Sequence, residues 1–553
     1  MYFLSFLQEG KEHQIPFEIG VTIREILDTT NLRAYVIGCS GNGACGMCQV
    51  HISEGEVNEP QPNEWVHLSR DQINQGIRLA CQTKPLQNIR MELLYSICES
   101  KWRNIPKDDY FLDTHMNVQS FETVGTGGRR KSYGVAVDLG TTNISLSVWD
   151  METMKRVVGR QGLNRQYSFG LDVVTRLTAA CESTENAQKL GAAARNSIGE
   201  ALLDISEREF IDLEAIEKVV IVGNTPMLTL LSEKSYELML NPEFWVKEID
   251  CQSESRKSWG ELWKISPTAA IEVIQPLTGF VGSDLIAGVL ATQIIDQPDV
   301  ALLIDFGTNT EIALWDSEKL WVSSAAGGPA FEGCGISCGM HAKPGAIYKI
   351  DWTAARSDYY FEVIGAAEPK GICGSGMVDA IAYLVENGKL NDHGKILAQD
   401  ASEGTFVLDE KHKIMLNNHD IDVFQRAKAA VGTGIDCLLE NAGINLGDIK
   451  KIYVCGAFGV SLNVANAQKI GLLPEIVPQN VILAGDTALA GCEFLLLKRD
   501  AKALVEKIKS KATLINLSYY PDFFEVFLKN LFLKPMRSKS DDEKNTSRKQ
   551  FPV

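Results

Sequence analysis

A chain of 553 residues is too long for a single core and predicts two to four domains, and its 45% apolar and 23% charged residues are those of a folded globular protein. A formal net charge of −17 excludes general nucleic-acid binding, which needs a basic surface to release counterions from phosphate. No apolar run approaches the roughly 18 residues that span a bilayer, and the start, Met1 to Gly10, lacks the features of a signal peptide, so a cytoplasmic protein without a membrane partner is expected.

In chain order, residues 2–7 and 14–19 predict a β-hairpin, and Thr22-Ile23-Arg24-Glu25 is a capping box opening a short helix through Leu27. Next comes Gly38-Cys39-Ser40-Gly41-Asn42-Gly43-Ala44-Cys45-Gly46-Met47-Cys48, then a strand at 49–53, and a fourth cysteine, Cys81, in Arg78-Leu79-Ala80-Cys81-Gln82. Four thiolates are what a [2Fe-2S] cluster takes from a protein. The glycines let one loop wrap three of them around a small inorganic core. Zinc is the competing occupant, although zinc sites usually bring two close cysteine pairs and here the fourth ligand stands alone; a redox Cys-x-x-Cys is the weaker alternative. The order of elements over residues 1–95 resembles the β-grasp of [2Fe-2S] ferredoxins. Its first gap, five residues instead of the plant-type four, is closer to the vertebrate-type loop, which leaves the cluster type in place and the reduction potential open. The nine remaining cysteines are scattered, as buried thiols of a reducing compartment would be.

Residues 96–131 lose any clear period and predict a linker with one short helix at 97–103. Beyond it, strands at 133–137, 144–148 and 219–222 alternate with helices at 171–181 and 192–205, the pattern of an α/β fold. The polar tail, 537–553, predicts disorder.

An internal echo carries the chemistry of this region. Val135-Ala136-Val137-Asp138-Leu139-Gly140-Thr141-Thr142-Asn143 recurs as Leu302-Leu303-Ile304-Asp305-Phe306-Gly307-Thr308-Asn309-Thr310. In each, an apolar strand delivers Asp-x-Gly-Thr into a turn. Glycine admits a phosphate close to the backbone, the amides and hydroxyls donate to it, and the aspartate holds Mg²⁺ or its waters. Two such hairpins face to face would clamp a triphosphate. Gly374-Ser375-Gly376 opens a helix whose first amides suit an anion, or else packs helix closely on sheet; both readings stand. No Walker A sequence is present, and no Rossmann G-x-G-x-x-G after the first strand.

The paired hairpins resemble those of the superfamily of acetate kinase, sugar kinases, heat-shock chaperone ATPases and actin. The chain as a whole, over residues 1–535, resembles the reductive activators of corrinoid proteins, through Asp138–Asn143, Val222–Met227, Asp305–Thr310 and Gly374–Gly376. That resemblance implies a multidomain α/β and α+β protein: a β-grasp ferredoxin domain at 1–95, a linker at 96–131, and a duplicated actin-like (ribonuclease H-like) ATPase whose halves are a middle domain at 132–298 and a C-terminal domain at 299–536. Cys39, Cys45, Cys48 and Cys81 would hold the cluster. Asp138 and Asp305 would be catalytic, one of them orienting a water, and Gly140, Thr141, Thr142, Asn143, Gly307, Thr308, Asn309, Gly374, Ser375, Gly376, Gly456 and Gly459 would bind MgATP. The implied reaction is one-electron reduction of a corrinoid protein's inactive Co(II) to Co(I), fed by a low-potential donor, in a homodimer. A redox-sensing metabolite kinase and an activator of a different low-potential enzyme are the alternatives.

Overall fold

The structure, a computed structural model, describes residues 2–8, 11–29, 48–68, 70–94, 102–105, 131–170, 172–352, 359–397 and 404–536. The N-terminal unit is a five-stranded sheet of β1 (Tyr2–Gln8), β2 (Lys11–Phe17), β3 (Gln49–Glu54), β4 (Ile77–Leu79) and β5 (Ile89–Leu93), in the order β2-β1-β5-β3-β4. β1 pairs antiparallel with β2 and parallel with β5. Alternation along β1 and β2 turns Leu4, Phe6, Ile15 and Phe17 into the core. β2 begins three residues earlier than expected. Lys11, Glu12 and His13 pair with Gln8, Leu7 and Phe6 without contributing an apolar alternation that would reveal the strand. The helix Ile23–Asp28 carries the expected capping box: Thr22 Oγ1 accepts from the Glu25 amide at 3.2 Å, and Glu25 Oε2 accepts from the Thr22 amide at 2.6 Å. Its Ile23, Ile26 and Leu27 point inward.

Two six-stranded sheets follow. The first, β11-β10-β7-β8-β9-β6, contains β6 (Arg103–Asn104), β7 (Tyr133–Leu139), β8 (Asn143–Asp150), β9 (Lys155–Leu163), β10 (Ile216–Gly223) and β11 (Ala270–Val273). The second, β21-β20-β12-β13-β14-β22, contains β12 (Ala301–Phe306), β13 (Thr310–Trp315), β14 (Leu320–Ala325), β20 (Lys451–Gly456), β21 (Val481–Gly485) and β22 (Ala512–Leu514). Each is an antiparallel meander whose first strand is flanked by two further strands running parallel to it, so β7-β8-β9-β10-β11 and β12-β13-β14-β20-β21 are copies of one topology. Between β14 and β20 lie β15 (Ala346–Trp352), β16 (Tyr359–Val363) and β17 (Gly371–Ile372) in one small sheet, β18 (Thr405–Asp409) and β19 (Ile414–Asn417) in another, and the helices Gly374–Glu386 and Asn418–Ala442.

Part of the expected linker is built into the first sheet. Of the helix expected at 97–103, residues 97–101 lie outside the described residues, while Arg103 and Asn104 pair antiparallel with Gln161 and Arg160 of β9. Trp102 is buried with its ring over Gly162, where any side chain would collide with it. A single buried aromatic overrode a locally unpatterned sequence. The helices expected at 171–181 and 192–205 are Val173–Glu182 and Thr184–Glu209. The 537–553 tail lies outside the described residues.

Because the central strands are covered on both faces, they read as near-continuous apolar runs. Val135, Val137 and Leu139 face the helix Thr184–Glu209, and Ala136 faces the other way with Val220 and Val222. That second face meets Leu303 and Ala313 of the other sheet through the helices Ser283–Thr292 and Thr487–Leu497, so the two halves share one core. The helices cross where Gly491 packs directly on the Ala287 carbonyl. A methyl group there has only backbone to displace. Gly491→Ala is expected to lower stability by about 3 kcal/mol, read as a lower denaturation midpoint. No helix among the described residues is long and apolar enough to cross a membrane.

Candidate cluster and nucleotide sites

Cys48 and Cys81 sit back to back in the ferredoxin-like unit. The Ala80 amide donates to the Cys48 carbonyl at 2.7 Å, and both thiols are buried. The preceding helix fixes the Cys81 segment, since its Ile23 and Arg24 amides donate to the Thr83 and Ala80 carbonyls at 2.8 and 3.0 Å. From the other side Glu64, fully buried, accepts from Arg78 Nε at 2.9 Å, Arg78 Nη2 at 2.8 Å and the Leu79 amide at 3.0 Å. Burial opposes the Glu64 charge, yet Arg78 and the amides of Gln61 and Leu79 hold its carboxyl below the ordinary range. Breaking so buried a pair by removing one partner is costly, so the strand leading to Cys81 is held rigidly. Two buried thiols, one just before β3 and one in the turn after β4, on segments tied together by the Ala80–Cys48 bond, fit a thiolate-ligated cluster. Cys39 and Cys45 lie outside the described residues.

Between the two large sheets lies a cavity of about 380 Å³ walled by both Asp-x-Gly-Thr hairpins. They face one another, with Thr142 Oγ1 3.1 Å from Thr308 Oγ1. Asp138, Gly140, Thr141, Thr142 and Asn143 line one side, and Asp305, Gly307, Thr308 and Asn309 line the other. Glycine is required at 140 because a Cβ would stand 2.6 Å from the Asn143 carbonyl oxygen. The first hairpin is braced from behind. Asn164 Nδ2 donates to the Gly140 carbonyl at 2.9 Å, Asn224 Nδ2 to Thr141 Oγ1 at 3.0 Å, and Arg176 Nη1 to the Thr141 carbonyl at 2.6 Å. Burial drags the Arg176 guanidinium down to about 9. A desolvated cation held against backbone carbonyls leaves the loop amides free to point at an anion.

The sequence reading missed most of the acidic lining. Asp284, in the first turn of Ser283–Thr292, and Asp486, the N-cap of Thr487–Leu497, join Asp138 and Asp305 around the same cavity, as do Glu311, Glu332 and Glu493. Burial first and neighbouring carboxylates second push these groups up: Asp305 to about 7, and Asp138 well above its usual value through Asp486, Asp284 and Asp305. Asp284 rises to about 6 by burial. Carboxylates gathered this way repel one another, and among the described residues no three of them stand close enough to ligate one ion directly, so the lining suits a hydrated divalent cation met through its waters. A signal for the missed aspartates exists. Gly282-Ser283-Asp284-Leu285-Ile286-Ala287-Gly288 echoes Gly485-Asp486-Thr487-Ala488-Leu489-Ala490-Gly491, a second duplication that places an acid at the start of each crossing helix.

The remaining expected residues are placed differently. Gly456, with φ +68°, lines the cavity against Asp305. Gly459 packs on the end of β21, a Cβ there falling 2.6 Å from the Gly485 nitrogen. Gly374 and Gly376 meet the Phe331 and Ile347 carbonyls, and Ser375 Oγ donates to the Tyr348 carbonyl at 2.8 Å. These three bind helix to sheet, the close-packing alternative of the two readings, and the cavity lining does not include them.

The comparison with known proteins accounts for the chain from end to end. Residues 6–86 match the 2Fe-2S iron-sulfur cluster binding domain, 133–297 the RACo middle region and 299–543 the C-terminal domain of RACo, the ASKHA domain. The corrinoid activation enzyme RamQ of Eubacterium limosum is 33% identical over 89% of this chain and 93% of its own. The chain belongs to the RACo family of corrinoid activators. A second relative of the family, the [Co(II) methylated amine-specific corrinoid protein] reductase of Methanosarcina barkeri, is 26% identical over 69% of this chain and 73% of its own. The solved structure of a reductive activator for a corrinoid, iron-sulfur protein superposes with a TM-score of 0.65 at 25% identity, covering 97% of this chain and 99% of that one. The RACo frame thus joins a [2Fe-2S] domain to an actin-like ATPase fold in one chain.

Proposed function

We propose that this RACo-family chain reactivates a corrinoid protein by ATP-dependent one-electron reduction of Co(II) to Co(I), so that methyl transfer resumes. The observation that carries the reading is the facing of Thr142 and Thr308 across an acid-lined cavity, in a chain that also presents buried Cys48 and Cys81. Family membership favours this reading over a metabolite kinase or an activator of a different low-potential enzyme.

The cluster, held by Cys39, Cys45, Cys48 and Cys81, supplies a one-electron centre. Arg78 and Glu64 keep the segment leading to Cys81 still, so little reorganises when charge moves. At the cavity, the amides and hydroxyls of Thr141, Thr142, Thr308 and Asn309 bind the triphosphate, with Gly140 and Gly307 admitting it to the backbone. Asp138, Asp305, Asp284 and Asp486 would hold Mg²⁺ through its waters. Gly456 shapes the wall beside Asp305. Because the hairpins belong to separate halves, phosphate bridging them draws the halves together, and the shared core of crossing helices transmits that closure. One electron moved across about 59 mV changes an equilibrium tenfold, so a closure of a few kcal/mol is on the scale needed to raise a reluctant acceptor.

The remaining parts of the proposal are a low-potential donor, a homodimer, and a cytoplasmic setting that keeps the thiols reduced. The deciding experiment mixes the protein with a Co(II) corrinoid protein and a reductant and follows the Co(I) absorbance. The expected result is Co(I) formation that requires both ATP and Mg²⁺. Equal rates without nucleotide would refute the proposal.

A further inference from the structure

One carboxylate stands where the two phosphate hairpins meet. Thr308 Oγ1 donates to Glu332 Oε2 at 3.3 Å, and Thr142 Oγ1 approaches the same oxygen at 3.5 Å. The two hydroxyls belong to different halves of the ATPase fold, so Glu332 touches both sides of the place where a terminal phosphate would be clamped.

Its backbone is held in register with the second hairpin. Phe331, the residue before it, is 2% exposed, and its ring packs edge-on against Phe306 at 5.4 Å, Phe458 at 5.4 Å and Phe424 at 5.6 Å. Phe306 directly follows Asp305. Just beyond Glu332 the chain turns sharply: the Gly333 amide donates to the Ala330 carbonyl at 3.0 Å and the Cys334 amide to the Pro329 carbonyl at 2.8 Å. Gly333 takes φ +88°, which places its backbone against Met340.

Glu332 also differs from the aspartates in its company. Asp138 and Asp305 act on one another and on Asp284 and Asp486, the arrangement of groups that share a cation. Burial raises Glu332 to about 7, and the Thr308 and Thr142 hydroxyls pull it back. A buried carboxylate whose backbone is fixed and whose oxygen meets the hydroxyls of both hairpins suits proton transfer.

We infer that Glu332 is the catalytic base of ATP hydrolysis in this chain, taking the proton from the attacking water while Asp138 and Asp305 serve the metal. In that step the water oxygen bonds to the γ-phosphorus and its proton passes to the Glu332 carboxylate. The bond from the γ-phosphorus to the β–γ bridging oxygen breaks, ADP leaves with the electron pair, and Glu332 returns the proton to solvent. The inference rests on the cavity being an ATP site.

Glu332→Gln preserves shape and the acceptor oxygen, and Glu332→Asp preserves charge while withdrawing it by one methylene. The Gln variant is expected to lose at least about 10²-fold in ATPase kcat, with MgATP affinity by calorimetry unchanged. After incubation with ATP and gel filtration it should retain ATP, where the wild type carries ADP. The Asp variant should recover part of the rate. Wild-type turnover in the Gln variant would overturn the assignment, as would lost ATP affinity with kcat intact. A wild-type protein that neither binds nor hydrolyses ATP would overturn the ATP reading itself, and the assignment with it.

Discussion

Asp305→Ala is expected to cut ATP-dependent corrinoid reduction at least about 10²-fold while leaving the visible spectrum of the cluster domain unchanged. Asp305 is the penultimate residue of the strand that delivers the second hairpin, lines the cavity, and lies against the Gly456 backbone. Its buried charge is disfavoured by desolvation and by Asp284 and Asp486 until a cation arrives. Removing it deletes a cation ligand and also relieves repulsion. The nucleotide-free variant should therefore melt no lower than the wild type, and stabilisation by MgATP should vanish. That pair of signs separates a lost ligand from a damaged fold. Wild-type ATPase rates in this variant would mean the hairpin had been misread.

Cys81→Ala is expected to abolish reduction of the corrinoid protein and the cluster's visible absorbance while ATP binding persists at wild-type affinity. Cys81 is buried in the N-terminal core, on a segment tied to Cys48 through Ala80 and to the Arg78–Glu64 pair. A [2Fe-2S] centre takes four thiolates, and losing one leaves an iron without its ligand. The ATPase cavity is built by the two large sheets and, among the described residues, draws none from the β-grasp unit. Its nucleotide affinity therefore reports independently that the variant is folded. Corrinoid reduction at the normal rate with the cluster absent would break the proposed electron route.

Local signals revealed local structure. Thr22 and Glu25 announced a capping box that the structure forms atom for atom, and continuous apolar runs marked β7 and β12. Arg103 escaped because its strand exists only as a partner for β9, with Trp102 buried over Gly162; no property of residues 97–103 encodes that neighbour. Gly374–Gly376 carried two readings in sequence because glycine serves an approaching phosphate and an approaching carbonyl equally well. The carbonyls of Phe331 and Ile347 are what approach. Asp284 and Asp486 went unnoticed although their segments echo one another, since a single acid at a helix start is most often a cap, which Asp486 also is.

The sequence by itself determined the chemistry available: clustered thiols among glycines for iron and sulfur, and a duplicated Asp-x-Gly-Thr turn for phosphate and metal. Both follow from short spacings, where a few bonds of backbone fix which side chains can meet. The tertiary structure decided which groups share a site. Thr142 and Thr308 are separated by 166 positions yet touch, Glu332 joins them from a third segment, and four aspartates from four elements line one cavity. Those meetings depend on two copies of one sheet packing through Gly491 and Ala287 into a common core. Burial there, more than residue type, turns ordinary carboxylates into groups that need a cation or hold a proton near neutrality.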